Sequence, residues 1–146
     1  ARGPLYVYPE GLVKRTTFHV LSMYANALES RAGKVEVTAP PLAQGDKRVA
    51  VLDAVATVDE SGKKWAAVLV NRHPSEALAC TVTLKGTPLE GTYSGLALAG
   101  DSPEAFNDVE HPDRVVPQEV ALTFSKGVVQ LPPHSVVVVS KIEGKY

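Results

Sequence analysis

The side chains with chemistry to offer in this 146-residue chain are four histidines, one cysteine and a run of carboxylates. The histidines are His19, His73, His111 and His134, and no two of them stand at the spacing that metal ligands use. Cys80 is nearest in sequence to His73, and no second cysteine completes a set. No metal site is expected. A nucleophilic triad would place a serine in a tight elbow or against a histidine. The chain has no G-x-S-x-G, and the neighbours His134 and Ser135 point to opposite faces of an extended chain. They read as a loop running into a strand. Asp101, Glu104, Asp108, Glu110 and Asp113 crowd one polar segment. Acid–base work by a carboxylate pair needs one carboxyl raised in pKa and one ionised, about 5 Å apart in the retaining geometry. Loop carboxylates are usually solvated, and no hydrophobic wall adjoins these. Catalytic residues are therefore not expected here, and Asn107 and Asp108 read as residues that bond backbone groups and fix turns. No cofactor is expected either, because the glycines do not form a phosphate-cradling loop: Gly86 and Gly91 mark turns, and Gly95 and Gly100 interrupt or flank a strand.

Sugar binding by a sheet face would want several exposed aromatic rings. The chain offers Trp65, five tyrosines and three phenylalanines. Trp65 opens a core-like strand, and Tyr6, Tyr8 and Tyr24 fall in the first third. Tyr93 is the isolated candidate. Hydrophobic content is 45%, charged content 21% and net charge −1, as in an ordinary globular domain. Without a basic block, neither nucleic acid nor an anionic membrane is an expected partner. A single cysteine allows no internal disulfide, which favours a cytoplasmic setting. No apolar run reaches the roughly 18 residues of a membrane span. The opening Ala1-Arg2-Gly3-Pro4-Leu5-Tyr6 lacks both a signal-peptide shape and an initiator methionine. It reads as the cut end of a longer polypeptide, the alternative being methionine removal from a complete small protein.

The elements that must position these residues follow from periodicity. Val13, Thr17, Val20, Leu21, Tyr24 and Leu28 keep a three-and-four spacing, between Pro9 and Gly11 on one side and Gly33 on the other. This predicts a helix of about four turns with one apolar stripe. From Lys34 the period becomes two. Strands are predicted at Lys34–Ala39, Val49–Asp59, Trp65–Asn71, Leu78–Lys85, Thr92–Leu98, Val120–Phe124, Val128–Leu131 and Ser135–Ile142, with turn signals between them. Val136–Val139 is apolar on both faces, so that strand should be central and covered on both sides. About eight strands after one helix predict a mainly β fold, an antiparallel two-sheet sandwich of jelly-roll type preceded by one α-helix.

One connection is unusual. Residues 101–117 form a polar stretch holding Pro103, Pro112 and Pro117, and compact domains seldom keep so long a connection without a use for it. Asp101-Ser-Pro-Glu-Ala-Phe-Asn-Asp-Val-Glu-His-Pro-Asp-Arg-Val-Val-Pro117, with Val128-Val-Gln-Leu-Pro-Pro-His-Ser-Val-Val-Val-Val139, resembles the C-terminal β-sandwich domain of the family 51 α-L-arabinofuranosidases. Arg15–Tyr24 is similar to that family's last barrel helix, and Val51–Thr57 with Trp65–Arg72 is similar to its first sandwich hairpin.

The resemblance implies that residues 1–32 are the remnant of the last β/α unit of a catalytic (β/α)8 barrel and residues 33–146 the sandwich. It implies a parent glycosidase that releases terminal α-L-arabinofuranosyl units from arabinan and arabinoxylan with retention, using two glutamates on upstream barrel strands. No position here matches their motifs, and the surroundings of Glu10 and Glu29 resemble neither. The implied partners are the parent's barrel and, through it, arabinose-containing polysaccharide. Val20, Leu21, Tyr24, Phe106 and Val109 are the expected interface residues. Tyr6, Tyr8 and Pro9 resemble the last barrel loop and would lie near the substrate mouth of the intact enzyme. The family's sandwich borrows a strand from the enzyme's far N-terminus. Its lack should leave a bare sheet edge and an apolar seam, and hence self-association. A stand-alone carbohydrate-binding sandwich and one subunit of a split enzyme are the alternatives.

Overall fold

The computed structural model describes residues 3–140. A hairpin of β1 (Leu5–Tyr8) and β2 (Gly11–Lys14) leads into helix α1 (Thr16–Ala27). The chain continues through β3 (Arg31–Ala32), β4 (Pro41–Gln44), β5 (Lys47–Ala50), β6 (Leu52–Val58), β7 (Trp65–Asn71), β8 (Leu78–Thr81), β9 (Thr83–Leu84), β10 (Thr87–Pro88) and β11 (Gly91–Ala99). After the 101–117 loop come β12 (Gln118–Phe124), β13 (Val128–Leu131) and β14 (Ser135–Ser140). The last two positions expected of the closing strand, Lys141 and Ile142, lie outside the described residues.

The main sheet has six antiparallel strands in the order β12-β11-β14-β7-β6-β3. One face packs against the β13–β8 pair. Ala67, Leu69, Leu122, Phe124, Val137 and Val139 meet Cys80, Leu89, Val129 and Leu131 there. The other face is covered by α1 and the long loop, where Met23, Ala27 and Val115 meet Val68, Leu98 and Val138. The fold is therefore a β-sandwich with a helix-and-loop layer on its main sheet. β14 is central, between β11 and β7, and its valines divide between the two cores as their two-faced apolarity predicts.

Four elements depart from the sequence reading, one being Leu78–Lys85, which divides into β8, paired with β13, and β9, paired with β10. Val13 belongs to β2, where it is buried, and the helix begins three residues later. The helix ends at Ala27, well short of Gly33. Its inward stripe is Val20, Met23, Tyr24, Ala27 and Leu28. The run Val49–Asp59 is not one strand. β5 pairs with β4 and β6 pairs with β7, and the switch falls on Val51. Val51 is buried, donates its N–H to the Pro40 carbonyl at 3.0 Å and accepts the Arg72 N–H at 2.8 Å. Lys34–Ala39 alternates as a strand would but belongs to no ladder among the described residues. It lines a groove of about 1780 Å³, facing Leu52, Ala54 and Trp65 of the main sheet and Val82 and Leu84 beyond β8. Among the described residues β8 is hydrogen-bonded to β13 alone, so its other edge opens on this groove.

Candidate functional site

Alternation along β1 and β2 divides the hairpin into two faces. Tyr6 sits opposite Val13 and Tyr8 opposite Gly11, and the two tyrosine rings stack with centroids 6.1 Å apart. The Arg15 guanidinium lies 5.7 Å from the centre of the Tyr6 ring, within cation–π range. Leu5, Val7 and Leu12 take the other face and are exposed, Val7 by 72%. Arg15 closes the hairpin by donating its N–H to the Pro4 carbonyl at 2.9 Å and then serves as the N-cap of α1.

The long loop is built around one buried amide. Asn107 is 5% exposed. Its side-chain nitrogen donates to the carbonyls of Lys14 (2.9 Å) and Val115 (2.8 Å), and its oxygen accepts the Val115 N–H (2.7 Å). Asn107 thus mimics a strand partner for Val115 while pinning the loop to the end of β2. Asp108 Oδ1 accepts the His111 N–H at 2.6 Å and closes a local turn. Both residues do what their types promised, bonding backbone groups. Arg114 grips Asp101 with two contacts, Nη2 at 2.8 Å and Nε at 3.0 Å, and draws the loop's ends together.

These supports hold Phe106 and Val109 outward, 58% and 47% exposed, on either side of Asn107–Asp108. They share a concavity of about 450 Å³ with Tyr6, Arg15 and Thr17. Of the five expected interface residues, Phe106 and Val109 are brought together here, beside Tyr6, which was expected near the substrate mouth. Leu21 is exposed, at 61%, but does not line the concavity. Val20 and Tyr24 face inward and pack on the core under α1. Tyr8 is half-buried against Tyr6, and Pro9 is exposed at the hairpin tip.

Two of the loop's carboxylates, Asp101 and Asp108, are shifted away from what acid catalysis needs. The Arg114 guanidinium holds the Asp101 carboxyl below the usual carboxylate range. The His111 N–H does the same for Asp108. A general acid needs the opposite shift. His19, on α1, is lowered by burial and by Lys14, against a smaller pull from Asp113. Its Nε2 is buried without a hydrogen-bond partner among the described residues. Burial pushes the Cys80 thiol up, away from the reactive thiolate. Among the described residues no group of three His, Cys, Asp or Glu side chains could hold a metal ion, and no helix is long and apolar enough to cross a membrane. Tyr93 packs between Trp65 (5.8 Å) and Phe124 (5.7 Å) and is half-buried, so it is not a free stacking platform.

The β1–β2 hairpin escaped the sequence reading. Its signals were the alternation Leu5-Tyr6-Val7-Tyr8 and the Pro9-Glu10 turn ahead of Gly11. Asn71 was also missed. It is buried, donates to the carbonyls of Glu76 and Pro132 (3.0 and 2.9 Å), and accepts the His73 N–H (2.9 Å), which ties β7 to the turn before β14.

The family model for the α-L-arabinofuranosidase C-terminal domain matches residues 1–135. Among solved structures, the thermostable GH51 α-L-arabinofuranosidase from Thermotoga petrophila RKU-1 matches with a TM-score of 0.84 at 20% identity, over 96% of this chain and 31% of that one. The family 51 α-L-arabinofuranosidase from Bifidobacterium longum matches with a TM-score of 0.79 at 24% identity, over 95% of this chain and 27% of that one. The GH51 arabinofuranosidase from Xanthomonas axonopodis pv. citri gives 0.78 at 22% identity, over 94% and 28%. The chain spans less than a third of the length of these structures. No match was found among curated proteins.

Proposed function

Because the chain belongs to the C-terminal domain family of α-L-arabinofuranosidases, we propose that it is the non-catalytic sandwich of such an enzyme and that it buttresses the catalytic barrel. The observation that carries this reading is the joint presentation of Tyr6, Phe106 and Val109 around one concavity, on supports whose polar groups are satisfied. Rigid apolar side chains held out on a braced loop bind at low entropic cost. An interface of standard size stabilises by several kcal/mol after the costs of association. In this reading residues 1–32 complete the last β/α unit of the barrel. The hairpin tip, with Tyr8 and Pro9, borders the substrate mouth. The parent releases terminal α-L-arabinofuranosyl units from arabinan or arabinoxylan with retention. The glutamates that do so lie outside this chain, and the setting is cytoplasmic.

The groove fits the same reading. A strand supplied from elsewhere in the parent would lie between β8 and Lys34–Ala39, extend the second sheet and cover Leu52, Ala54 and Trp65. Lys34–Ala39 would then gain the ladder its alternation calls for.

A titration of this chain into the separately produced barrel of a family 51 enzyme, followed by calorimetry, tests docking. We expect saturable binding that weakens at least about tenfold when Phe106 and Val109 are both replaced by aspartate. No binding, or equal binding by the variant, contradicts the proposal.

A further inference from the structure

His134 stands just before β14 at φ 41°, a positive value uncommon outside glycine. Its N–H donates to the His73 carbonyl at 2.8 Å. Its ring reaches two other segments at once. Nδ1 lies 2.8 Å from the carbonyl oxygen of Pro74, between β7 and β8, and Nε2 lies 2.8 Å from the carbonyl oxygen of Gly100, at the foot of the 101–117 loop. Backbone carbonyls only accept. A neutral imidazole has one N–H and one lone pair, so in either tautomer one of these contacts opposes lone pair to lone pair. The imidazolium donates at both.

We propose that His134 is a proton-dependent latch, which as the imidazolium ties the β7–β8 connection and the foot of the long loop to the start of β14, and on losing its proton lets go of one of them. The charged and titratable groups around it come from each packed segment. Asp101, next to Gly100, carries a negative charge that interacts with His134. Arg114 offsets part of that charge through its double contact with Asp101. His73, from the β7–β8 connection, places Nε2 3.5 Å from the Glu76 carboxylate and accepts the Ser75 and Glu76 N–H groups at Nδ1. The latch holds the loop that presents Phe106 and Val109. It stands on the ring geometry alone, independently of what docks on that loop.

Hydrogen exchange read by mass spectrometry on the polypeptide carrying this sequence tests it, with intrinsic rates corrected. Peptides spanning 96–105 are compared between about pH 6 and about pH 8, the window in which histidine changes charge. The wild type is expected to lose about tenfold in protection at the higher pH, the scale of one charge-assisted hydrogen bond. His134→Gln should show low protection at both pH values, and His134→Arg, a donor throughout, high protection at both. Peptides covering Val68–Val70 should stay protected in all three and report intact folding. Protection that is equal at the two pH values in the wild type, or identical in wild type and His134→Gln, overturns the latch. Ring nitrogen shifts of the wild type decide the matter without substitution. Two protonated nitrogens at about pH 6 support the latch, and one bare nitrogen at that pH refutes it.

Discussion

At the residue scale, two asparagines and a few carboxylates set the loops. Replacing Asn107 by alanine leaves the carbonyls of Lys14 and Val115 and the N–H of Val115 without their partner. Such a loss at a buried site should cost about 2–3 kcal/mol, read as a lower denaturation midpoint at unchanged slope. Asn107→Asp keeps the shape but not the donors, and should fare worse still above the ordinary aspartate range. The pH dependence has a definite sign. His19 is depressed in the folded chain, so its neutral form is favoured, and stability present above the ordinary histidine range is lost as pH falls through it. Asp101 and Asp108 are depressed too, so their contribution is present above the ordinary carboxylate range and is lost as pH falls lower still. Acid unfolding should therefore show an earlier, His19-dependent decline and a later one. His19→Leu should abolish only the first.

At the element scale, close packing between strands and helix governs. A Cβ on Gly95 would come within 2.5 Å of the Val138 carbonyl oxygen and 2.6 Å of Leu122 Cδ1. Gly95→Ala should cost about 1–3 kcal/mol, because β11 must move away from β14 or displace Leu122. Met23→Ala removes the largest buried side chain by which α1 holds Val68 and Val138, and should cost about 2–5 kcal/mol. Denaturant unfolding checks both. The central placement of β14 was legible because four consecutive valines satisfy both faces of a sheet. The break at Val51 was not. Side chains keep alternating through Val49–Asp59, and a change of hydrogen-bond partner leaves no mark on them. The helix start slipped because Val13, at the end of a strand, falls in helical phase with Thr17 and Val20. Lys34–Ala39 shows the converse case, a pattern for pairing without a pair in the described chain.

At the scale of the whole molecule, the outward surfaces among the described residues include the Tyr6–Phe106–Val109 concavity, the groove beside β8 and the Leu5–Val7–Leu12 face of the first hairpin. Phe106 and Val109, the loop residues expected at a contact, are held exposed by the braced loop. Leu21 proved to lie apart from them, and Val20 and Tyr24 serve the domain's own core. Bare edges and apolar seams promote association, so the isolated chain should self-associate, with a sedimentation coefficient that rises with concentration. A concentration-independent monomer contradicts this. The account as a whole turns on where glycosidic bond cleavage resides, and turnover of a nitrophenyl α-L-arabinofuranoside measures that most directly. The chain alone should give no turnover above the uncatalysed rate, and the barrel should work better with the chain than without it. Hydrolysis by the chain alone that disappears on neutralising a carboxylate between Asp101 and Asp113 would contradict the account.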